Sequence, residues 1–256
     1  MTQRTGRRRV QLFVTCVVDQ FFPEVGEAVV DVLEALDIEV EFDTSQTCCG
    51  QPAFNSGFWN EARPVARRLL GQLDHSVPVV IPSGSCTAMI RNYYEELFAD
   101  DPVNLARAGS LAGNVYEFSE FLVDKVGPPE LEQLFQTSAA DEVEVAFHEA
   151  CHAKRELGID AQPKSLIDAV PGFRRVDLDQ AEVCCGFGGT FAVKYADISG
   201  AMLSDKLDSI ERSGADVVSA CDTSCLMHIG GGLRRRGSQV RPAHFAELIS
   251  QGLKED

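Results

Sequence analysis

The chain has 256 residues, 45% hydrophobic and 24% charged, a balance that suits one or two globular domains and excludes a wholly disordered chain. Its 23 basic and 39 acidic residues leave a formal charge of −16, which repels phosphate backbones and argues against nucleic acid as a general partner. No apolar run approaches the roughly 18 residues of a membrane span. The unusual number is nine cysteines.

In chain order, Arg4, Arg7, Arg8 and Arg9 precede an apolar stretch at 10–18. Gln11, Thr15 and Cys16 interrupt it, and it stops at Asp19 without a small-residue cleavage site. It reads as a basic tail entering a buried strand rather than as a secretory signal, so a cytoplasmic chain is expected. Thiols stay reduced there, and many of them point to metal or redox chemistry before disulfides. Residues 24–36 have helical apolar spacing, 38–42 are short and β-branched, and 77–81 form an apolar strand. Pro128-Pro129 and Thr137-Ser-Ala-Ala140 mark a linker, with a short helix around 131–135. A strand opens at Val143. Residues 198–210 are helical, with Met202, Leu203, Leu207 and Ile210 on one stripe, and 215–219 form another apolar strand. This alternation predicts an α/β fold of two pseudo-symmetric lobes, each a small mostly parallel sheet flanked by helices. The expected bounds are a first lobe at 1–127, a linker at 128–141 and a second lobe at 142–256.

The two halves repeat one pattern. Val10-Gln-Leu-Phe-Val-Thr-Cys16 matches Val143-Glu-Val-Ala-Phe-His-Glu-Ala-Cys151, each an expected strand ending at a cysteine. After 31 and 32 intervening residues come Cys48-Cys49-Gly50 and Cys184-Cys185-Gly186. Then follow Ser83-Gly-Ser-Cys86 and Asp222-Thr-Ser-Cys225, and both halves close on Phe118-Ser-Glu-Phe-Leu122 or Phe245-Ala-Glu-Leu-Ile249.

Ligands of open α/β sheets gather beyond the carboxyl ends of the strands, where each of these cysteines is expected. Gly50, Gly84 and Gly186-Phe-Gly-Gly189 allow sharp turns and close backbone approach, and N–H groups in such turns stabilise an anionic centre. The vicinal pairs must turn to serve one centre, because neighbours in extended chain point oppositely. The first candidate set is Cys16, Cys48, Cys49 and Cys86. The second is Cys151, Cys184, Cys185 and Cys225, with Cys221 nearby. Two sets at matched spacing argue against thiols that only pack. Four thiolates suit either a 4Fe–4S cluster or tetrahedral zinc, in one or both lobes.

These blocks resemble the cysteine-rich CCG-domain iron–sulfur family, which includes a heterodisulfide reductase subunit, a glycolate oxidase subunit and the lactate-utilisation proteins. Phe13-Val-Thr-Cys16, Cys48-Cys-Gly-Gln-Pro52, Pro82-Ser-Gly-Ser-Cys86, His148-x-x-Cys151-His152, Cys184-Cys-Gly-Phe-Gly-Gly-Thr190 and Cys225-Leu-Met-x-Ile-Gly-Gly231 are most similar to the lactate-utilisation branch. The resemblance implies an iron–sulfur electron-transfer subunit, with one or two 4Fe–4S clusters, of a complex oxidising L-lactate to pyruvate. It implies a ferredoxin-type iron–sulfur partner subunit and a further lactate-utilisation subunit, and that this chain is not catalytic alone. The fullest family pattern ends in Cys-x-x-Cys and supports a five-cysteine cluster. Here Ser83 and Asp222 stand at the first of those positions, and Cys221 is displaced by one residue. The ferredoxin-type Cys-x2-Cys-x2-Cys runs are absent, so onward electron flow needs another polypeptide.

His148-Glu-Ala-Cys-His152 also spells the zinc-protease signature, which needs both histidines one turn apart on a helix. Here it follows a strand directly, and supporting roles for His148 and His152 just outside the ligands, donating hydrogen bonds to cluster sulfur, fit better. Cys151 and His152 make a poor nucleophile pair, since adjacent residues rarely bring thiolate and imidazole into contact. Gly186–Gly189 and Gly230–Gly232 match no phosphate loop. Arg234-Arg-Arg236 reads as a solvated helix end or a docking patch for an acidic partner. Two other functions compete with electron transfer: a zinc-holding assembly subunit, and a thiol-redox protein cycling Cys184-Cys185 with Cys221 or Cys225.

Overall fold

The computed structural model describes residues 8–131, 133–135 and 142–253. The chain divides into two compact units, one holding the chain to Pro82 and Cys86–Leu134, the other Ser83–Ser85 and the chain from Phe135. The basic residues Arg4 and Arg7 lie outside the described residues, as does much of the expected linker, including 136–141.

The first unit is a four-stranded parallel sheet of β1 (Arg8–Leu12), β2 (Ile38–Glu41), β3 (Val79–Ile81) and β4 (Val115–Glu117), in the order β2-β1-β3-β4. Val10 pairs with Val40, Leu12 with Val80, and Val80 with Tyr116. Parallel neighbours need crossover connections, supplied by Pro23–Ala35, Trp59–Gln72 and Pro102–Ala112 among other helices. β3 is buried along its whole length, as a strand covered on both faces must be. Around it pack Phe13, Leu69, Leu70, Met89, Tyr94, Leu97 and Phe98.

The second unit repeats the plan with β5 (Val143–Phe147), β6 (Phe173–Val176), β7 (Val217–Ala220) and β8 (Arg241–His244), in the order β6-β5-β7-β8. All its pairings are parallel, and central β7 is again wholly buried. Ala161–Ala169, Ala196–Arg212, Thr223–Arg236 and Phe245–Gln251 are its longer helices. Each sheet ends in a capping box: Glu117 caps Phe118–Glu120, and His244 caps Phe245–Gln251. The closing repeat Phe118-Ser-Glu and Phe245-Ala-Glu is thus a helix start in both units.

The strands expected to run into Cys16 and Cys151 stop earlier, at Leu12 and Phe147. Cys16 opens the helix Cys16–Phe21, and Cys151 caps the π-helical turn His152–Glu156. The apolar stretch 10–18 therefore serves two elements: Val10 and Leu12 are buried on the strand and Val18 on the helix. The short helix expected around 131–135 lies earlier in the expected linker, at Pro128–Leu131, and residues 133–134 form a turn. Arg236 is not free for docking, because it pairs with Asp208 at 2.6 Å and Glu211 at 2.9 Å. Among the described residues no helix is long and apolar enough to cross a membrane.

Candidate metal centres

In the first unit the four cysteines lie beyond the strand ends and meet. Cys16 begins its helix, Cys48 and Cys49 precede the helix Gln51–Asn55, and Cys86 sits inside Gly84–Ala88. Sγ of Cys16 lies 3.7 Å from Sγ of Cys48, and Sγ of Cys49 lies 3.2 Å from Sγ of Cys86. Cys48 and Cys49 interact side chain to side chain, closing the chain of four. Gly50, at φ 88°, turns the backbone so that its N–H donates to Cys48 Sγ at 3.4 Å. A side chain there would be strained by the left-handed φ and would meet the Ala62 carbonyl at 3.4 Å. Tyr94 O–H donates to the Cys49 carbonyl at 2.8 Å and fixes the turn from below.

The second unit builds the same object. Cys184 interacts with Cys151 and with Cys185, and Cys185 with Cys225. Gly186 N–H donates to Cys184 Sγ at 3.4 Å, and its φ of 88° repeats that of Gly50. In each set two thiols are buried (Cys49 and Cys86; Cys185 and Cys225) and two are half-buried. Cys221 is buried at the end of β7, with its backbone carbonyl against the His244 ring. Asp222 holds the N-cap of Thr223–Arg236 and accepts from Ser224 Oγ at 3.3 Å.

Packing this close couples the thiols. Cys16 and then Cys49 hold Cys48 down to about 3, while the Cys48 sulfur pushes both neighbours up. Cys151 and then Cys185 hold Cys184 down to about 2, and both of them are pushed up in turn. Each set therefore stabilises a thiolate by sharing its neighbours' protons, and a cation seated there displaces those protons. The donor set, soft and fourfold in each unit, fits zinc or an iron–sulfur cluster and not a hard oxygen-ligated ion.

The surroundings of the second set are more polar. His148 is fully buried, and its Nδ1 lies 3.2 Å from the Ala181 carbonyl while its Nε2 has no hydrogen-bond partner. Burial, with Lys206 adding to it, pushes the imidazole down to about 3, so the ring is neutral. A ring nitrogen of His148 and the sulfurs of Cys185 and Cys225 lie within 4.8 Å of one another. Lys206, 2% exposed, donates to the carbonyls of Gln180 and, at 3.2 Å, Ala181; burial lowers its pKa and the nearby thiols oppose that. Lys206 belongs to none of the sequence motifs, yet it falls on the stripe of Leu203 and Ile210, and a lysine on an apolar stripe is the signal that marks it.

The adjacent pair expected to stay apart does meet: Cys151 Sγ is 3.6 Å from His152 Nδ1 across the start of the π-helical turn. The protease signature fails on geometry. His148 sits in the strand-to-helix turn, and Glu149 is ion-paired to both Lys154 and Lys164, so it is no free general base. Two further residues that no motif marks are Ser199, which donates to the Gly186 carbonyl at 2.7 Å, and His228, 3.3 Å from Ser199 Oγ.

The cysteine-rich domain family CCG matches this chain twice, at residues 10–91 and 145–230. Lactate utilization protein A 2 of Bacillus cereus strain Q1 is 40% identical over 247 residues, covering 96% of this chain and all of that protein. Lactate utilization protein A of Exiguobacterium sp. is 43% identical over 248 residues, covering 96% of this chain and 98% of that protein. Lactate utilization protein A 1 of Bacillus anthracis is 39% identical over 247 residues, with 96% and 100% covered.

Proposed function

From the premise that this chain belongs to the cysteine-rich CCG-domain family, with the domain present twice, we propose that it is an iron–sulfur electron-transfer subunit serving lactate utilisation. The observation that carries the reading is the pair of four-thiol chains, Cys16-Cys48-Cys49-Cys86 and Cys151-Cys184-Cys185-Cys225. The near full-length similarity to lactate utilization proteins A supplies the process. A 4Fe–4S cluster at either set supplies one-electron transfer, at a potential set by net charge, hydrogen bonds to sulfur and exposure.

Oxidation of L-lactate to pyruvate releases two electrons and two protons, and the protein's own residues provide the relay rather than the substrate site. The electrons reach this chain from a partner that binds lactate. They leave to a ferredoxin-type partner, because no Cys-x2-Cys-x2-Cys run continues the path here. Cys221, one residue outside the Cys-x-x-Cys position, is a further buried thiol just after β7.

Anaerobic purification with iron, acid-labile sulfide and zinc analysis tests this. Brown protein with iron and sulfide in equal amounts is expected. Cys49→Ser should remove the first centre alone and Cys185→Ser the second alone. Colourless protein with stoichiometric zinc overturns the electron-transfer reading. It would support the second reading, a zinc-holding assembly subunit, which the nitrogen donor beside Cys185 and Cys225 favours.

A further inference from the structure

The second thiol set has a donor that the first lacks. Three residues before Cys16 stands Phe13, fully buried; three before Cys151 stands His148, equally buried. The Ala181 carbonyl can only accept, so the Nδ1 it faces at 3.2 Å carries the ring proton. Lys206 Nζ donates to the same carbonyl at 3.2 Å. A second proton on His148 would put a cation beside that ammonium and leave an Nε2–H with no acceptor. Nε2 is therefore a bare lone pair in a buried site, the form in which imidazole binds metals. Without a bound cation it is an orphaned buried acceptor, an arrangement that folded proteins rarely tolerate.

We infer that His148 Nε2 is a direct ligand of the metal centre in the second unit, beside Cys185 and Cys225, making that centre a mixed nitrogen–sulfur site while the first is all-thiolate. This replaces the outer-sphere role expected for His148, since a bare Nε2 has no proton to donate to sulfur. The Nδ1–H···O=C bond is the support that metal-ligating histidines use to fix tautomer and ring orientation. The second set thus offers four thiols and one neutral imidazole. Where the imidazole takes a coordination position from a thiolate the centre is one unit less negative, and in iron–sulfur centres such a replacement raises the reduction potential. The inference deepens the proposed function by naming a ligand of the same site. It requires only that these side chains bind a metal, and so can be tested apart from cluster content.

The test uses full-length reduced apoprotein with ¹⁵N-labelled histidine and Cys49→Ser with Cys86→Ser, so that Co(II) alone, added at one equivalent, occupies only the second unit. High-spin Co(II) is paramagnetic, and pulsed electron–nuclear double resonance should show one strongly coupled ¹⁵N beside thiolate-to-cobalt absorption. His148→Gln should abolish that coupling and weaken Co(II) binding more than about 100-fold, beyond the 10–100-fold loss of an outer-sphere partner. His152→Gln and His228→Gln should keep the coupling. A bound Co(II) with no coupled histidine nitrogen, a coupling that survives His148→Gln, or no Co(II) binding overturns the inference. Where His148→Gln fails to fold, the labelled His152→Gln and His228→Gln proteins decide the question: a coupling kept in both supports His148, and its loss in either overturns the inference. Iron and sulfide in the native protein decide the cluster reading separately: their absence sinks that reading and leaves the cobalt result standing.

Discussion

Two thiol sites built on one plan differ in what lies around them. Around Cys16, Cys48, Cys49 and Cys86 the unit places Phe13 and Leu69, both fully buried; around Cys151, Cys184, Cys185 and Cys225 it places His148 and Lys206. The positions correspond. A Cβ on Gly50 would meet the Ala62 carbonyl and one on Gly186 the Ser199 carbonyl, and Leu69 and Lys206 each follow that residue by seven. The lesson is that duplication preserves sulfur geometry, because turns and helix starts dictate it, while the charge around the sulfurs is free to diverge. A site with a neutral imidazole and a buried ammonium favours added negative charge more than one lined by phenyl and isobutyl groups. The two centres should differ in potential, the second being easier to reduce.

The largest effect that would break the comparison is at the turn glycines. Gly186→Ala would force a left-handed φ on alanine and bring its Cβ to 2.8 Å from the Ser199 carbonyl and 3.0 Å from Met202 Cβ. Gly50→Ala meets nothing nearer than 3.4 Å. The expected costs are about 3 kcal/mol or more for Gly186→Ala and about 1–2 kcal/mol for Gly50→Ala. Equal shifts in urea denaturation would contradict the difference in crowding at the two turns.

Next come the two helix caps, which should titrate in opposite senses. Burial pushes Glu117 from 4.5 up to about 8, so its contribution to stability is complete below 4.5 and is lost as pH rises through about 8. Burial pushes His244 from 6.5 down to about 4, so its contribution is complete above 6.5 and is lost as pH falls through about 4. Glu117→Gln should raise Tm relative to the parent at pH 8.5 and not at pH 4.5. His244→Asn, which keeps an acceptor for Ala246 N–H, should do so at pH 4.5 and not at pH 8.5. The differences should be a few kcal/mol, at about 1.4 kcal/mol per unit. Parallel pH profiles for both variants would refute the assignment.

The smallest effect on stability sharpens the comparison most. Lys206→Met gives up the bonds to the Gln180 and Ala181 carbonyls but also removes a desolvated cation, so stability should change by less than about 2 kcal/mol. The potential of the second centre should nevertheless fall in a redox titration while the first stays put. Leu69→Met is the matched control and should move neither. A shift of both centres by Lys206→Met would deny the local origin of the difference.

Much of this is legible in sequence, for identifiable reasons. Central strands β3 and β7 show as short β-branched runs because both faces are covered. The edge strands β4, β6 and β8 escape notice because three or four residues carry little pattern: Arg241-Pro-Ala-His244 reads as a loop, and an edge tolerates its proline. The early end of β1 at Leu12 is hidden because one apolar run, 10–18, feeds a strand and then a helix. Lys206 shows only as a misfit on an apolar stripe, and Tyr94 as one aromatic among several. What each binds depends on chain far away, Gln180 and Ala181 in one case and Cys49 in the other.

The amino-acid order alone determined that the chain is duplicated, that eight of nine thiols fall into two matched sets, and that each vicinal pair must turn. Those features are covalent spacings and local backbone requirements, so they survive without knowledge of any long-range contact. Only the tertiary structure decided which sulfurs touch, that Glu149 is consumed by two lysines, and that His148 keeps one nitrogen bare. Hydrogen-bond partners far apart in the chain are set where loops converge beyond the sheet, and the burial that makes an unpaired nitrogen or a lone ammonium consequential exists only once those loops have closed.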